Sequence, residues 1–233
     1  MEFVQLGGIE VAFTRGGNRL CFVDPRNENQ CIKVLRPDRT PEIRRREKAF
    51  PKNRRSLASF DENLEEFQVW RSIEEKIGEP AFKHISRCFG FVQTNLGRGL
   101  VMELIRDDDG RVAKTLKQYM WEGGYTPTLQ RAVEEFGRFW VELGMPSKKL
   151  LLHNMLARKI EAEFQIYVID GLGWTSLIPL SKYFSKLAQR QARKKIDELS
   201  ITIAELLTKK QSGGNFGYHG WLDESQRAGT ISG

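Results

Sequence analysis

Apolar and polar residues alternate over short spans in the first hundred positions, and apolar residues recur every three or four positions over longer spans after that. Residues 9–14 and 19–24 read as two strands joined by Arg15-Gly16-Gly17-Asn18, a tight turn whose residues tolerate positive φ. A polar turn from Asp24 to Asn29 leads into a third short strand, Gln30 to Leu35. Asp61 is placed to cap a helix in which Leu64, Phe67, Trp70, Ile73 and Ile77 fall at helical spacing; acids fill its first turn and Gly78 ends it. Two more strands follow, 85–93 and 99–105, around a turn at Asn95 to Gly99. The period then changes. Residues 114–122 predict a short helix, and Thr128 to Leu143 a longer one with Leu129, Val133, Phe136, Trp140 and Leu143 on one face. An apolar strand at Leu150 to Leu152 runs up to Asn154, and another, Phe164 to Ile169, ends in Asp170 and a glycine-bearing turn. Pro179 to Leu207 reads as one or two amphipathic helices. The tail from Gln211 is Gly- and Ser-rich without any period, so it is expected to be disordered or loosely attached, with Tyr218 and Trp221 available for docking.

A chain of 233 residues with 40% hydrophobic and 29% charged residues suits a globular protein with a real core. No run approaches the roughly 18 apolar residues that span a bilayer. The start, MEFVQLGGIEVAF, has no basic region ahead of an apolar stretch, so a secretory signal is not expected and a cytoplasmic location is. Cys21, Cys31 and Cys88 show no zinc-ligand spacing and read as reduced thiols. The formal charge of +7 favours polyanionic partners: nucleotides, nucleic acid or anionic lipid. Residues 36–55 hold nine Lys or Arg against three acids, and a second basic cluster runs from Lys182 to Lys195; a solvated face explains either equally well.

Two positions suit a hard divalent cation. Asn154 and Asp170 each stand at a strand end, and Mg²⁺ is commonly held by one or two protein oxygens together with water and substrate phosphates. Lys33 is the third candidate, because a charge on the buried face of a sheet is costly unless paired. Its expected partner is Glu66, inside the periodic helix; Glu47 competes, but its basic neighbours Arg44 to Arg46 and Lys48 account for it locally.

Strand, glycine turn, strand, lysine strand, helix with a glutamate, two strands, then helices: this order resembles the protein-kinase-like fold. GGNRLCFVDPRNENQCIKVLRP, ENLEEFQVWRSI, HNMLARKI and YVIDGLGWTSLIPLSKY are similar to the YrbL (PhoP regulatory network) family over roughly residues 5–200. The resemblance implies an α+β, compact bilobal fold. It would have a five-stranded antiparallel N-lobe with one helix (1–105, with a basic insertion at 36–60), a reduced helical C-lobe (106–210) and the tail 211–233. It also implies ATP and Mg²⁺ as cofactors. Gly16, Gly17 and Asn18 would cover phosphates, Lys33 would pair with them, Glu103 and Ile105 would hold an adenine ring at the hinge, and Asn154 and Asp170 would bind the metal.

One departure stands out. Kinases place an aspartate five residues before the metal-binding asparagine, to orient the attacking hydroxyl and accept its proton; here that residue is Lys149. A lysine is normally protonated and is no ready base. His153, beside Asn154, titrates near neutral pH and is the substitute the sequence offers. Two functions follow. One is a phosphotransferase acting on a small-molecule, sugar or lipopolysaccharide-type acceptor, anionic or at a membrane surface. The other is a pseudokinase or regulatory nucleotide-binding module without turnover. Nucleic-acid binding through 36–55 is the weakest reading, since aromatic residues do not interleave its charges as a base-stacking surface requires.

Overall fold

Leu20 and Phe22, Ile32 and Val34, and Val101 occupy alternate positions on three neighbouring strands, and with Val4, Leu6 and Val92 they form one buried apolar cluster. The period of two places Arg19, Cys21 and Lys33 on the opposite face of the same sheet. The strands are β1 (Phe3–Val4), β2 (Thr14–Arg15), β3 (Arg19–Asp24), β4 (Asn27–Leu35), β5 (Cys88–Thr94) and β6 (Gly97–Glu103), ordered β1-β5-β6-β4-β3-β2. All neighbours are antiparallel except β1, which joins β5 in parallel. They come from a computed structural model that describes residues 3–174 and 184–228 and falls into two units. The first is built on residues up to Ser72 with Arg87–Leu104, the second on Ile73–Ser86 with Ile105–Arg227.

The expected five antiparallel strands are present, with two differences. The stretch 9–14 is mostly a 3-10 turn at Ile9–Val11, leaving a two-residue β2, and β1 adds a sixth strand at the edge. Segment 37–60 carries a short helix α1 (Pro41–Arg46) and is tied down: Arg44 donates to the Phe60 carbonyl at 2.7 Å and pairs with Glu62 at 2.9 Å. Helix α2 (Glu62–Lys76) starts as read, with the Asp61 carboxylate accepting from Leu64 N at 3.0 Å.

The second unit contains α3 (Leu116–Gly123), α4 (Pro127–Glu142), the hairpin of β7 (Met155–Ile160) and β8 (Glu163–Val168), α5 (Ser185–Gln211) and α6 (Glu224–Ala228). Thr115 and Thr126 cap α3 and α4. The predicted face of α4 buries Leu129, Val133, Phe136 and Trp140. Leu150 to Leu152 is not a strand: buried Leu150 and Leu152 anchor a loop that closes in a 3-10 turn, Leu152–Asn154, and the strand follows the asparagine instead of preceding it. Of the helix expected from Pro179, the described part begins at Ser185; Leu177 to Leu180 and Lys182 lie outside the described residues.

The tail also differs from expectation. Buried Gln118 exchanges two hydrogen bonds of 2.9 Å with the backbone of Leu222, Thr115 donates to the Gly220 carbonyl at 2.5 Å, and Arg227 pairs with buried Asp107 at 2.8 Å. Single polar contacts more than a hundred residues apart hold it, and these leave no periodicity to read. The fold is α+β: an antiparallel sheet with a lysine strand, a helix carrying the glutamate, two more strands of that sheet, then a mainly helical unit. Among the described residues no helix is long and apolar enough to cross a membrane.

Candidate functional site

In the first unit the lysine and the glutamate meet. Lys33 lies between Cys21 of β3 and Leu100 of β6, and its Nζ donates to Glu66 Oε1 at 2.7 Å. The two side chains are 9% and 13% exposed, a burial that neither charge would tolerate alone. Glu47 is bound elsewhere, by Arg39 at 3.0 Å. The glycine turn is closed by a 2.8 Å bond from Gly16 N to the Arg19 carbonyl. Arg36 donates to the Gly16 and Gly17 carbonyls at 3.3 and 3.1 Å, and Asn18 donates to Glu62 at 2.6 Å. Apart from its chain neighbours, no described residue comes within 4 Å of where a Gly17 Cβ would stand, so the turn faces open space there. Glu103 is committed locally: its Oε2 accepts from Arg87 N at 3.0 Å.

The second unit brings the two candidate oxygen ligands to one end of one hairpin. β7 and β8 pair Met155 with Val168, so Asn154 stands just before one strand and Ile169-Asp170 just after the other. A 3.0 Å bond from Ile169 N to the Asn154 carbonyl extends the ladder by that one step. The Asp170 carboxylate accepts from Gly171 N at 2.6 Å, and Gly171 O takes Lys148 N at 2.8 Å, fastening the aspartate turn to the loop before Asn154. Only glycine fits position 171, where φ is +86° and a Cβ would lie 2.4 Å from the Lys149 carbonyl. The donor set, one amide oxygen and one carboxylate, fits Mg²⁺ completed by phosphates and water. Among the described residues no three His, Cys, Asp or Glu converge on a metal position. Ile105 is buried with Ala113, Leu156 and Tyr167, and its carbonyl accepts from Ala113 N at 3.0 Å.

Lys149 is exposed. His153 is half-buried and stacks on His219 of the tail, ring centroids 5.4 Å apart and 29° between planes. Burial, then the neighbouring His219 and Lys117, hold its imidazole below the ordinary histidine range, so it is neutral, and able to accept a proton, at pH 7. Sequence reasoning missed two partners. His219 lay in a stretch without period and gave no signal. Arg19, which shares Glu66 with Lys33, did give one: a hairpin turning at Asp24 to Asn27 puts 19, 21 and 33 on one face.

A pH prediction follows from the histidines. His84 is also held low by burial; it shares its Nδ1 with the Ile166 carbonyl at 2.7 Å, and among the described residues its buried Nε2 meets no hydrogen-bond partner. When the folded value lies below the unfolded one, near 6.5, the unfolded chain binds more protons and stability falls as pH drops below that value. Thermal melts should therefore be flat from pH 8 to 7 and fall steadily from 6.5 to 5. A melting temperature unchanged over 6.5 to 5 contradicts this assignment.

The family described as PhoP regulatory network protein YrbL matches residues 9–203. The "Uncharacterized protein YrbL" of Escherichia coli (strain K12) and that of Shigella flexneri are each 27% identical to the chain over 172 residues, covering 72% of it and 73% of their own length. Among solved structures, the crystal structure of Rad53 1-466 in complex with AMP-PNP is similar with a TM-score of 0.43 at 14% identity, over 91% of this chain and 49% of that one. The chain thus spans about half the length of that protein.

Proposed function

The chain belongs to the family of PhoP regulatory network protein YrbL, and from that premise we propose that it is a cytoplasmic, ATP·Mg²⁺-binding kinase-like protein that transfers a phosphoryl group to a small-molecule, sugar or lipopolysaccharide-type acceptor. The observation that carries the reading is the Lys33–Glu66 pair at 2.7 Å. An ion pair this buried stabilises a fold weakly, and hydrophobic residues often serve as well, so its placement beside a glycine turn supports a role in holding phosphate. Mg²⁺, when bound, supplies charge neutralisation on the phosphate oxygens. Asp170 and Asn154 are the residues that would hold it, and Lys33 bonds the phosphates while Glu66 keeps its ammonium extended. Neutral His153 accepts the proton of the acceptor hydroxyl at an imidazole nitrogen, and Lys149 offers its charge to the phosphoryl oxygens. Transfer through a loose transition state depends more on such positioning than on a strong base.

A second reading, binding without turnover, is favoured by one observation: the residue in the aspartate's place is an exposed lysine. Incubation with labelled ATP, Mg²⁺ and a panel of sugar and lipopolysaccharide-core acceptors separates the two. Transfer that falls by roughly 10²–10³-fold in Lys33→Ala, the size expected for losing one preorganised charge, supports the enzyme. Tight ATP binding with no transfer above background supports the binding module.

A further inference from the structure

Arg19 belongs to none of the positions read above as phosphate-handling, yet it sits on the same carboxylate as Lys33. Its Nη1 donates to Glu66 Oε2 while Lys33 takes Oε1, so both oxygens of one glutamate are held by cations from adjacent strands. The same guanidinium reaches Asn63 Oδ1 at 3.4 Å, and Asn63 donates to the carbonyl of Lys33 at 2.8 Å. Its Nε lies 3.8 Å from Glu62, which also takes Asn18 of the glycine turn at 2.6 Å and Arg44 at 2.9 Å. The Arg19 side chain is only 10% exposed. A carboxylate gripped by a lone lysine can swing about its own bonds. One gripped at the other oxygen by a planar, fork-shaped guanidinium keeps its direction.

We propose that Arg19 is a positioning residue for nucleoside polyphosphates. It fixes Glu66, and through it Lys33, and adds a second positive charge beside that lysine. The inference rests on the nucleotide reading above. It also makes the glycine turn, the lysine strand and the glutamate helix one preassembled piece, because Asn18 and Arg19 are adjacent in sequence and both bind α2. The site it builds discriminates by phosphate charge: ATP over ADP, and either over adenosine.

Calorimetric titration of the full chain with ATP·Mg²⁺, ADP·Mg²⁺ and adenosine tests this, with a thermal melt of each variant alongside. Arg19→Gln keeps a donor toward Glu66 and drops the charge. ATP should weaken about tenfold and ADP less, with adenosine within about twofold of wild type. Arg19→Lys restores the charge without the fork and should weaken ATP only about threefold. If Arg19→Gln does not melt cooperatively, Arg19→Lys carries the test alone: selective loss of ATP supports the proposal. Equal loss of ATP and adenosine, or wild-type ATP affinity in a folded variant, overturns it and leaves Arg19 a structural residue. A wild-type chain that binds adenosine and ATP equally also overturns it while the nucleotide reading stands. No heat from any nucleotide sinks both.

Discussion

Arg227→Ala should lower stability by about 3–5 kcal/mol, the range for breaking a buried ion pair by removing one partner. Arg227 is 4% exposed and its partner Asp107 3%. The guanidinium also donates to the Val112 carbonyl at 3.1 Å, and Val112 N donates back to the Arg227 carbonyl at 2.8 Å. Burial already pushes the Asp107 carboxyl up, against the pull of Lys159 N and Arg227. Without the arginine, that carboxylate is left, among the described residues, with Lys159 N at 2.8 Å and the Tyr119 hydroxyl at 3.4 Å. For a chain of this size the loss corresponds to a fall in Tm of roughly 10 °C. The double variant Asp107→Leu with Arg227→Met should recover most of it, because an apolar pair of similar volume often replaces a buried ion pair at little cost. An Arg227→Ala chain that melts within about 2 °C of wild type would show that the tail is not held in this way.

That pair marks a limit on what sequence pattern can show. Elements with a strong period were legible: the face of α4, the Asp61 cap of α2, and the strands on either side of the Asn95 to Gly99 turn. The tail was not, because Gln118, Thr115 and Arg227 act singly over more than a hundred residues. The loop at Leu150 to Leu152 misled for a related reason, since two buried leucines spaced by two satisfy a strand pattern and a loop anchor equally. In the site, Lys33 was legible because a charge inside an apolar strand is costly unpaired; Glu66 followed from the resemblance, which implies a glutamate on the next helix, and from its place inside the period of α2. Lys33 also shows why Arg19 stayed hidden. The hairpin register puts Arg19 on the same face, but once the buried lysine had one acid, nothing in the pattern called for a second cation on that carboxylate.

The other large effect expected is on the metal. Asp170→Ala should abolish the Mg²⁺-dependent part of ATP binding, by at least about a hundredfold, since even outer partners of metal ligands are worth roughly 10–100-fold. The fold should survive the change. Asp170 is half-buried at the end of the β7–β8 hairpin, and the bond its carboxylate accepts from Gly171 N is local, while the backbone links Ile169 to Asn154 and Gly171 to Lys148 remain. Glu66→Gln, by contrast, should weaken ATP with and without Mg²⁺, because it acts on Lys33 and not on the cation.

Calorimetric titration of ATP into the wild-type chain with and without Mg²⁺, repeated in Asp170→Ala, tests the central claim most directly. Wild type should give saturable heat that strengthens with Mg²⁺, and in the variant Mg²⁺ should make no difference. Wild-type chain that gives no heat with ATP under either condition, or an Asp170→Ala variant that keeps the full Mg²⁺ effect, would contradict it.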